Sequence, residues 1–405
     1  MLRRKEEERR QRIEQLSRIQ PPIAKEGALL ASPGIPTGLL PKRGIKSGRI
    51  VYLPSVTLSS VFTDNANSSD DDREDDLLLG AAAAVRAQTL LQRHQFGVEA
   101  SATAGHSTND TEDDFLDWEV GADGRFDLDR QQALRGAVNA SLAQEADSSA
   151  EVNAGDDAEL NAFGGGFGYL FNGRSLDASL DGFVDREEFS GDNTDDRDNT
   201  TYTASANLTR NLSKQLSVFI APAYAVTEFD EETGSDGQGR DSHEITGLIG
   251  AEYRPRPRFR VGGTLGYSET YFDDSDTDDD GSVVGSLTTR FAYDSRTDFE
   301  LAASRDINVT TVDGSASETT TSVSAGVTRL LAQKHALSTA LTYLHTDFDD
   351  LNRTDQDLLA DVEYFYRLGD NLIFNLGYEY LTRFSDVNSE EFHENRIRIG
   401  VTLAY

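Results

Sequence analysis

The sequence predicts an all-β fold: a transmembrane, antiparallel, up-and-down β-barrel of about 18 strands with a short helical N-terminal extension. Three observations predict it. Apolar and polar residues alternate through nearly every stretch after residue 49, so each strand has one fatty face and one small or charged face. Long acidic loops alternate with tight, often basic turns, the pattern of a barrel with long external loops and short periplasmic turns. The chain ends on a further alternating strand, with Ile397, Ile399, Val401, Leu403 and Tyr405 on one face and Arg396, Arg398, Gly400, Thr402 and Ala404 on the other.

Two domains are expected, a basic helical extension and linker over residues 1–48 and the barrel over 49–405. Residues 1–20 read as a charged helix, with Glu6, Glu7 and Glu8 three or four positions before Arg9, Arg10 and Arg12. Ile13, Leu16 and Ile19 give it one short apolar edge, which suits either a docking helix or a mobile extension. This stretch lacks the apolar core of a signal peptide, roughly 7–15 residues long, which an exported barrel requires. Residues 21–48 hold Pro21, Pro22, Pro33, Pro36 and Pro41 among five glycines and read as a linker with the reach to thread the barrel mouth.

From residue 49 the expected strands are 50–63, 76–90, 94–106, 115–129, 132–145, 159–172, 175–187, 201–212, 215–228, 243–254, 258–272, 282–294, 297–310, 319–331, 335–347, 357–368, 371–384 and 394–405. Trp118, Val120, Ala122, Gly124, Phe126 and Leu128 oppose Glu119, Gly121, Asp123, Arg125 and Asp127. Phe259, Val261, Leu265 and Tyr267 oppose Arg258, Arg260, Thr264 and Gly266. Two later strands alternate less cleanly: Leu359 and Phe365 interrupt the polar face of one, and Ile373 that of the next. The long loops include 64–76, 106–114, 188–200, 230–242, 273–281 and 347–355. Each strand has the ~9–11 residues that cross a bilayer when tilted, and a few more. Eighteen strands at ~4.8 Å spacing and ~40° tilt enclose a backbone diameter of roughly 35 Å, too wide for side chains alone to fill, so a channel or a plugged lumen is expected.

Charge and composition narrow the function. Lys plus Arg total 38 and Asp plus Glu 71, a net charge of −33, and residues after 50 alone carry −40. That field repels phosphate and excludes nucleic acid as a partner. Leu, Val, Phe and Tyr at strand period exclude disorder. The absence of cysteine excludes disulfides, thiolate metal sites and cysteine nucleophiles. No apolar run reaches the ~18 residues of a membrane-spanning helix. His94, His106, His243, His335, His345 and His393 are scattered, and no zincin, nucleophile-elbow or phosphate-loop motif occurs, so no catalytic residue, enzyme activity or cofactor is expected. Asp276–Gly281 resembles the front of a calcium loop, but Leu287 stands where the closing glutamate belongs, and no metal site is expected.

Charges on the lipid face of a barrel cost ~2–4 kcal/mol near the midplane, so the strand charges belong inside. The expected pore-lining set is Arg86, Arg125, Arg135, Arg258, Arg260, Arg290, Arg367, Arg396 and Arg398 with Glu99, Glu119, Asp123, Glu252, Glu300, Asp361, Glu363 and Glu379. Two readings of this face stand. It is a hydrated, mixed-charge path for a polar solute, or its ions pair across the wall and stiffen the barrel.

Two ends of the chain carry a resemblance. The terminal strand, with Val401, Leu403 and the final Tyr405, resembles the assembly signal of bacterial outer-membrane barrels. The first strand, with Pro54, Phe62 and the Asp64-Asn65 pair, resembles the opening of an outer-membrane β-barrel porin family often encoded beside exopolysaccharide genes. The resemblance implies an eighteen-stranded barrel in the bacterial outer membrane, involved in moving secreted polysaccharide without covalent chemistry. The implied partners are outer-membrane lipid, the barrel assembly machinery and periplasmic polysaccharide-export proteins. The rival readings are a structural or adhesive surface barrel with a plugged lumen, an embedded hydrolase, and a soluble acidic β protein.

Overall fold

The computed structural model describes residues 34–36, 38–40, 44–70, 73–91, 93–109, 114–144, 158–191, 195–231, 239–274, 277, 279–310, 312, 314–349, 351 and 353–405. The expected helix over residues 1–20 and most of the linker lie outside them. The strands are β1 (Ile45–Ser47), β2 (Ile50–Thr63), β3 (Asp76–Thr89), β4 (Gln95–Ser107), β5 (Phe115–Asp127), β6 (Gln132–Gln144), β7 (Glu159–Asn172), β8 (Leu176–Ser190), β9 (Asn199–Asn211) and β10 (Leu216–Phe229). They continue with β11 (Ser242–Arg256), β12 (Phe259–Phe272), β13 (Asp280–Ala292), β14 (Thr297–Val309), β15 (Ser317–Ala332), β16 (His335–Phe348), β17 (Arg353–Arg367), β18 (Leu372–Ser385) and β19 (Phe392–Ala404).

Strands β2 to β19 pair antiparallel, each with its neighbours in sequence. The barrel closes where β19 pairs with β2, from Arg396 opposite Thr63 to Ala404 opposite Ser55. Closure is what a membrane demands of a sheet, because an open edge would leave backbone groups without partners in lipid. At ~3.4 Å per residue and ~40° tilt, a strand of 14 residues such as β2 reaches roughly 36 Å along the barrel axis, enough to cross the hydrocarbon. The short β1 is an addition to the expected strands. It forms a hairpin with the start of β2, Ile45 opposite Tyr52, through Gly48-Arg49, where Gly48 adopts φ 59°, a conformation that favours glycine.

The outer face is apolar around the circumference. Leu58, Val98, Val138, Phe167, Leu180, Ile249 and Leu265 are 56–77% exposed. Such a belt has no counterpart on a soluble protein and is satisfied by lipid. Phe259, Phe291 and Phe299 stand in register across β12, β13 and β14 near the short-turn end, part of an aromatic girdle.

One expected loop shrinks. β16 runs on to Phe348 and β17 begins at Arg353, so the anticipated long loop at 347–355 is only 349–352. Polar residues there hydrogen-bond across the strands, Thr354 Oγ1 to Asp347 Oδ1 at 3.0 Å among them, and so extend the ladder beyond the apolar band that the sequence pattern marks.

Candidate functional site

The alternation that sends apolar residues to lipid sends their neighbours inward, and the pairing register places the expected charges on one inner wall. Arg86, Arg125, Arg135, Arg260, Arg290, Arg367, Arg396 and Arg398 all face inward, as do Glu99, Glu119, Asp123, Glu252, Glu300, Asp361, Glu363 and Glu379. Arg258 is the exception. It lies exposed in the turn between β11 and β12, because β12 begins one residue later at Phe259, and so it stands at the short-turn rim and not on the wall.

Most of these arginines are paired along the wall. Arg86 lies 2.6 Å from Glu99 and 3.4 Å from Asp123, and Arg125 lies 2.8 Å from Asp127. Arg135 makes two hydrogen-bonded contacts to Asp181, at 2.7 and 2.6 Å. Arg260 reaches Glu252 at 3.1 Å and Arg290 reaches Glu300 at 3.4 Å. Arg396 joins Glu379 at 3.1 Å and also pairs with Glu394, and Arg398 lies 3.5 Å from Glu363. Glu119 and Arg367 have no ion-pair partner among the described residues. The like-charged register neighbours Arg125 and Arg135, and likewise Arg260 and Arg290, are tolerated because each has its own carboxylate.

Three of these pairs reach over an intervening strand, and each crosses a glycine. Gly97 lies between Arg86 and Asp123, Gly168 between Arg135 and Asp181, and Gly377 between Glu363 and Arg398. A methyl group at Gly168 would collide with both Asp181 Oδ1 and Arg135 Nε. The missing side chain is thus what lets the guanidinium and carboxylate meet across β7.

The wall is uneven. Arg290 on β13 and Glu300 on β14 stand open, at 42% and 64% exposed. Glu363 on β17 and Glu394 on β19 are packed, at 4% and 1%. Sequence reasoning missed Asp181, Glu394 and the Arg383–Asp357 pair at 2.8 Å. Asp181 was legible from the inward row Asp177, Ser179, Asp181, Phe183 and Asp185 opposite Leu180, Gly182 and Val184.

The Asp64-Asn65 pair of the opening strand acts at the barrel seam. Asn395 donates from its backbone N–H to Asp64 Oδ1 at 2.7 Å and from Nδ2 to Asp64 Oδ2 at 2.8 Å. Asn65 is fully buried, donates from Nδ2 to the His393 carbonyl at 3.0 Å and accepts from the Ser69 N–H at 3.2 Å. Burial pushes the Asp64 carboxyl up, but the hydrogen bonds from Asn395 and the charges of Arg73 and His393 outweigh it and hold it below the usual carboxylate range. A depressed folded-state pKa contributes stability above the unfolded value of ~3.9 and loses it as pH falls through the folded one. The seam is therefore expected to weaken only below about pH 4. Asn65→Ala should cost about 1–3 kcal/mol at any pH, since it strands a buried donor and acceptor. Urea unfolding in lipid vesicles at neutral and acid pH checks both. An unchanged midpoint for Asn65→Ala would remove the seam role.

A closed antiparallel barrel with an apolar outer belt and a polar inner wall defines a β-barrel of the bacterial outer membrane. Over residues 41–405 the chain matches the family described as "Putative beta-barrel porin 2", and it belongs to that family. No curated protein matches it. Among solved structures it is similar to the outer membrane protein OpdK of Pseudomonas aeruginosa, with 12% identity, a TM-score of 0.51, and 87% of this chain and 99% of that chain covered. It is also similar to the FrpB iron transporter of Neisseria meningitidis, with 9% identity, a TM-score of 0.50, and 89% of this chain and 83% of that chain covered. At these identities the likeness shows the fold alone.

Proposed function

We propose that the barrel is a passive outer-membrane pore for a hydrophilic solute, with a secreted polysaccharide of low charge as the best-supported cargo and no covalent chemistry. The expected pore-lining arginines, Arg258 and Arg367 apart, act here as paired charges of the wall and not as a set of binding charges. The observation that carries the reading is that most inward arginines are cancelled in place by carboxylates, leaving stretches of hydroxyl and amide side chains such as Thr203, Ser205, Asn207 and Thr209 on β9. Such a surface offers hydrogen bonds to sugar hydroxyls and no strong site that would trap a moving chain. Two inward phenyl rings flank that row, Phe183 packed over Gly166 and Phe219 over Gly250. Aromatic rings give the C–H faces of sugars an apolar surface to slide on.

Carboxylates outnumber arginines on the inner face, as on β8 with Asp177, Asp181, Asp185 and Glu187. The pore should therefore prefer cations and disfavour polyanions. In planar bilayers under a salt gradient, the reversal potential is expected to show severalfold selectivity for potassium over chloride. Neutral oligosaccharides should occlude the current, and less so in Phe219→Ala. Anion selectivity with no occlusion would overturn the reading. The partners in this proposal are the assembly machinery, reading Val401 and Leu403 on the outward face of β19 and Tyr405 just after it, and periplasmic export proteins that supply direction.

A second reading, a barrel with a plugged lumen, is favoured by one feature: Leu39 lies inside the barrel and is fully buried.

A further inference from the structure

Four strands spaced three apart repeat one arrangement of charge on the inner wall. β5, β8, β11 and β14 each carry an inward carboxylate in the half nearer the long loops: Glu119, Asp185, Glu244 and Asp306. None of the four has an ion-pair partner among the described residues. Glu119, Asp185 and Asp306 are exposed to the lumen. Glu244 is half-buried and held by hydroxyls, accepting from Thr246 Oγ1 at 2.6 Å and from Ser268 Oγ. Strands β5 to β14 make up about half of the circumference, so the four carboxylates form an arc around one side of the outer half.

The half nearer the short turns is different. There the same four strands carry Asp123, Asp181, Glu252 and Glu300, and each lies beside a guanidinium. Asp123 is 3.4 Å from Arg86, Asp181 is 2.6 Å from Arg135, Glu252 is 3.1 Å from Arg260 and Glu300 is 3.4 Å from Arg290. From β3 to β16, every arginine on the inward face of a strand lies in this inner half. The inward arginines of the outer half, Arg353, Arg383 and Arg396, all belong to β17 to β19, where each is tied to a carboxylate of its own. Along the arc, the lumen is therefore acidic in its outer half and balanced in its inner half.

We propose that this axial imbalance makes the barrel a rectifying pore, which passes more current when the long-loop side is positive than when it is negative. Rectification rests on the open pore proposed above. Uncompensated carboxylates draw cations into the outer half and repel anions, whereas the balanced inner half admits both. When the loop side is positive, cations leave the outer half inward and anions move outward to meet them. The anions stop at the acidic arc, so both ions collect where the halves join and conductance rises. Under the opposite polarity both ions are drawn away from that junction, and conductance falls. The field of the arc reaches about 10 Å into the lumen in 0.1 M salt and about 3 Å in 1 M, against a backbone diameter of roughly 35 Å, so the effect belongs to dilute salt. For cargo, the same arc is a barrier to polyanions set in the outer half, beyond the neutral stretch that a chain entering from the periplasmic end meets first.

Single pores of the full chain are recorded in planar bilayers with equal potassium chloride on both sides. The protein contains no cysteine, so Glu231→Cys, at the start of a long loop, takes a single biotin, and streptavidin added to one chamber reports which way a pore faces. In about 0.1 M salt the current is expected to be about twofold larger with the loop side positive, and in about 1 M the ratio should fall towards unity. The combined variant Glu119→Gln, Asp185→Asn, Glu244→Gln and Asp306→Asn should lose the ratio in dilute salt while keeping its conductance in concentrated salt and its heat-modifiable mobility on gels. Arg290→Gln with Glu300→Gln, which removes a balanced pair from the inner half, should retain the ratio. A linear current–voltage relation in dilute salt, a larger current with the short-turn side positive, or a ratio that survives the combined variant would overturn the rectifying arc. If the unmodified protein and every variant are silent at both salt concentrations, the pore reading falls and rectification with it.

Discussion

Replacing Arg396 with methionine is expected to destabilise the folded barrel by about 3–5 kcal/mol, because it removes the cation that Glu379 and Glu394 share. The Arg396 side chain is only 13% exposed. It lies 3.1 Å from Glu379 and pairs with Glu394, which is 1% exposed and accepts a hydrogen bond from Thr63 Oγ1 at 2.5 Å. Asp361 stands in register beside Glu379. Without the guanidinium, Glu394 would keep its hydroxyl donor and lose its countercharge, and its repulsion with Glu379 would go unopposed. The cost of burying a charge then falls on the folded state, so the carboxylates must take up protons or the strands must part. Arg396→Met combined with Glu394→Gln and Glu379→Gln should recover much of the loss, because all three changes leave a neutral wall of similar volume. Urea unfolding midpoints in lipid vesicles check the pair of variants. A single substitution that costs no more than the triple one would mean that the cluster is hydrated and that Arg396 is dispensable.

The packing of that cluster was the part of the site least legible in the sequence. Alternation reports which face a residue joins, and it assigned Arg396, Glu379 and Glu363 inward because a membrane forces one face of every strand to be apolar. It carries no information on what stands in front of a face. Glu300 and Glu363 read alike as sequence, yet one is 64% exposed and the other 4%. The glycines under the strand-skipping ion pairs are also silent in the sequence, since Gly168 is one of several in a glycine-rich strand and only the register shows that Arg135 and Asp181 flank it. Arg258 was misplaced for a related reason. Its alternation continues that of Arg260, but Arg258 belongs to the turn that ends just before Phe259, and strand ends are set by turn geometry and not by periodicity. The irregularities were the more informative sites. Phe365 and Ile373 spoil the pattern as sequence, and in the barrel they are where Leu39 packs. A position at which local pattern and global fold disagree is where a second demand is met.

The face assignment itself can be tested on two adjacent residues of β12. Leu265 points to lipid, is 59% exposed and lies near the middle of the strand, while Thr264 points inward and shares a 2.8 Å hydrogen bond with Ser286. Leu265→Arg should cost about 2–4 kcal/mol in lipid, the penalty for a guanidinium near the bilayer midplane. Thr264→Arg loses the two bonds its hydroxyl makes with Ser286, to Oγ and from the N–H, together worth about 1–2 kcal/mol, and keeps its new charge in a hydrated position. The two substitutions add the same side chain one position apart, so net charge and chain length cancel in the comparison. What remains is the solvent on each side of the wall. Vesicle unfolding reads the difference, and the same pair in the pore assay reads a second consequence: only the inward arginine should reduce cation selectivity. Equal costs for the two would mean that both faces of β12 meet water, and neither the lipid belt nor the lumen would survive that result.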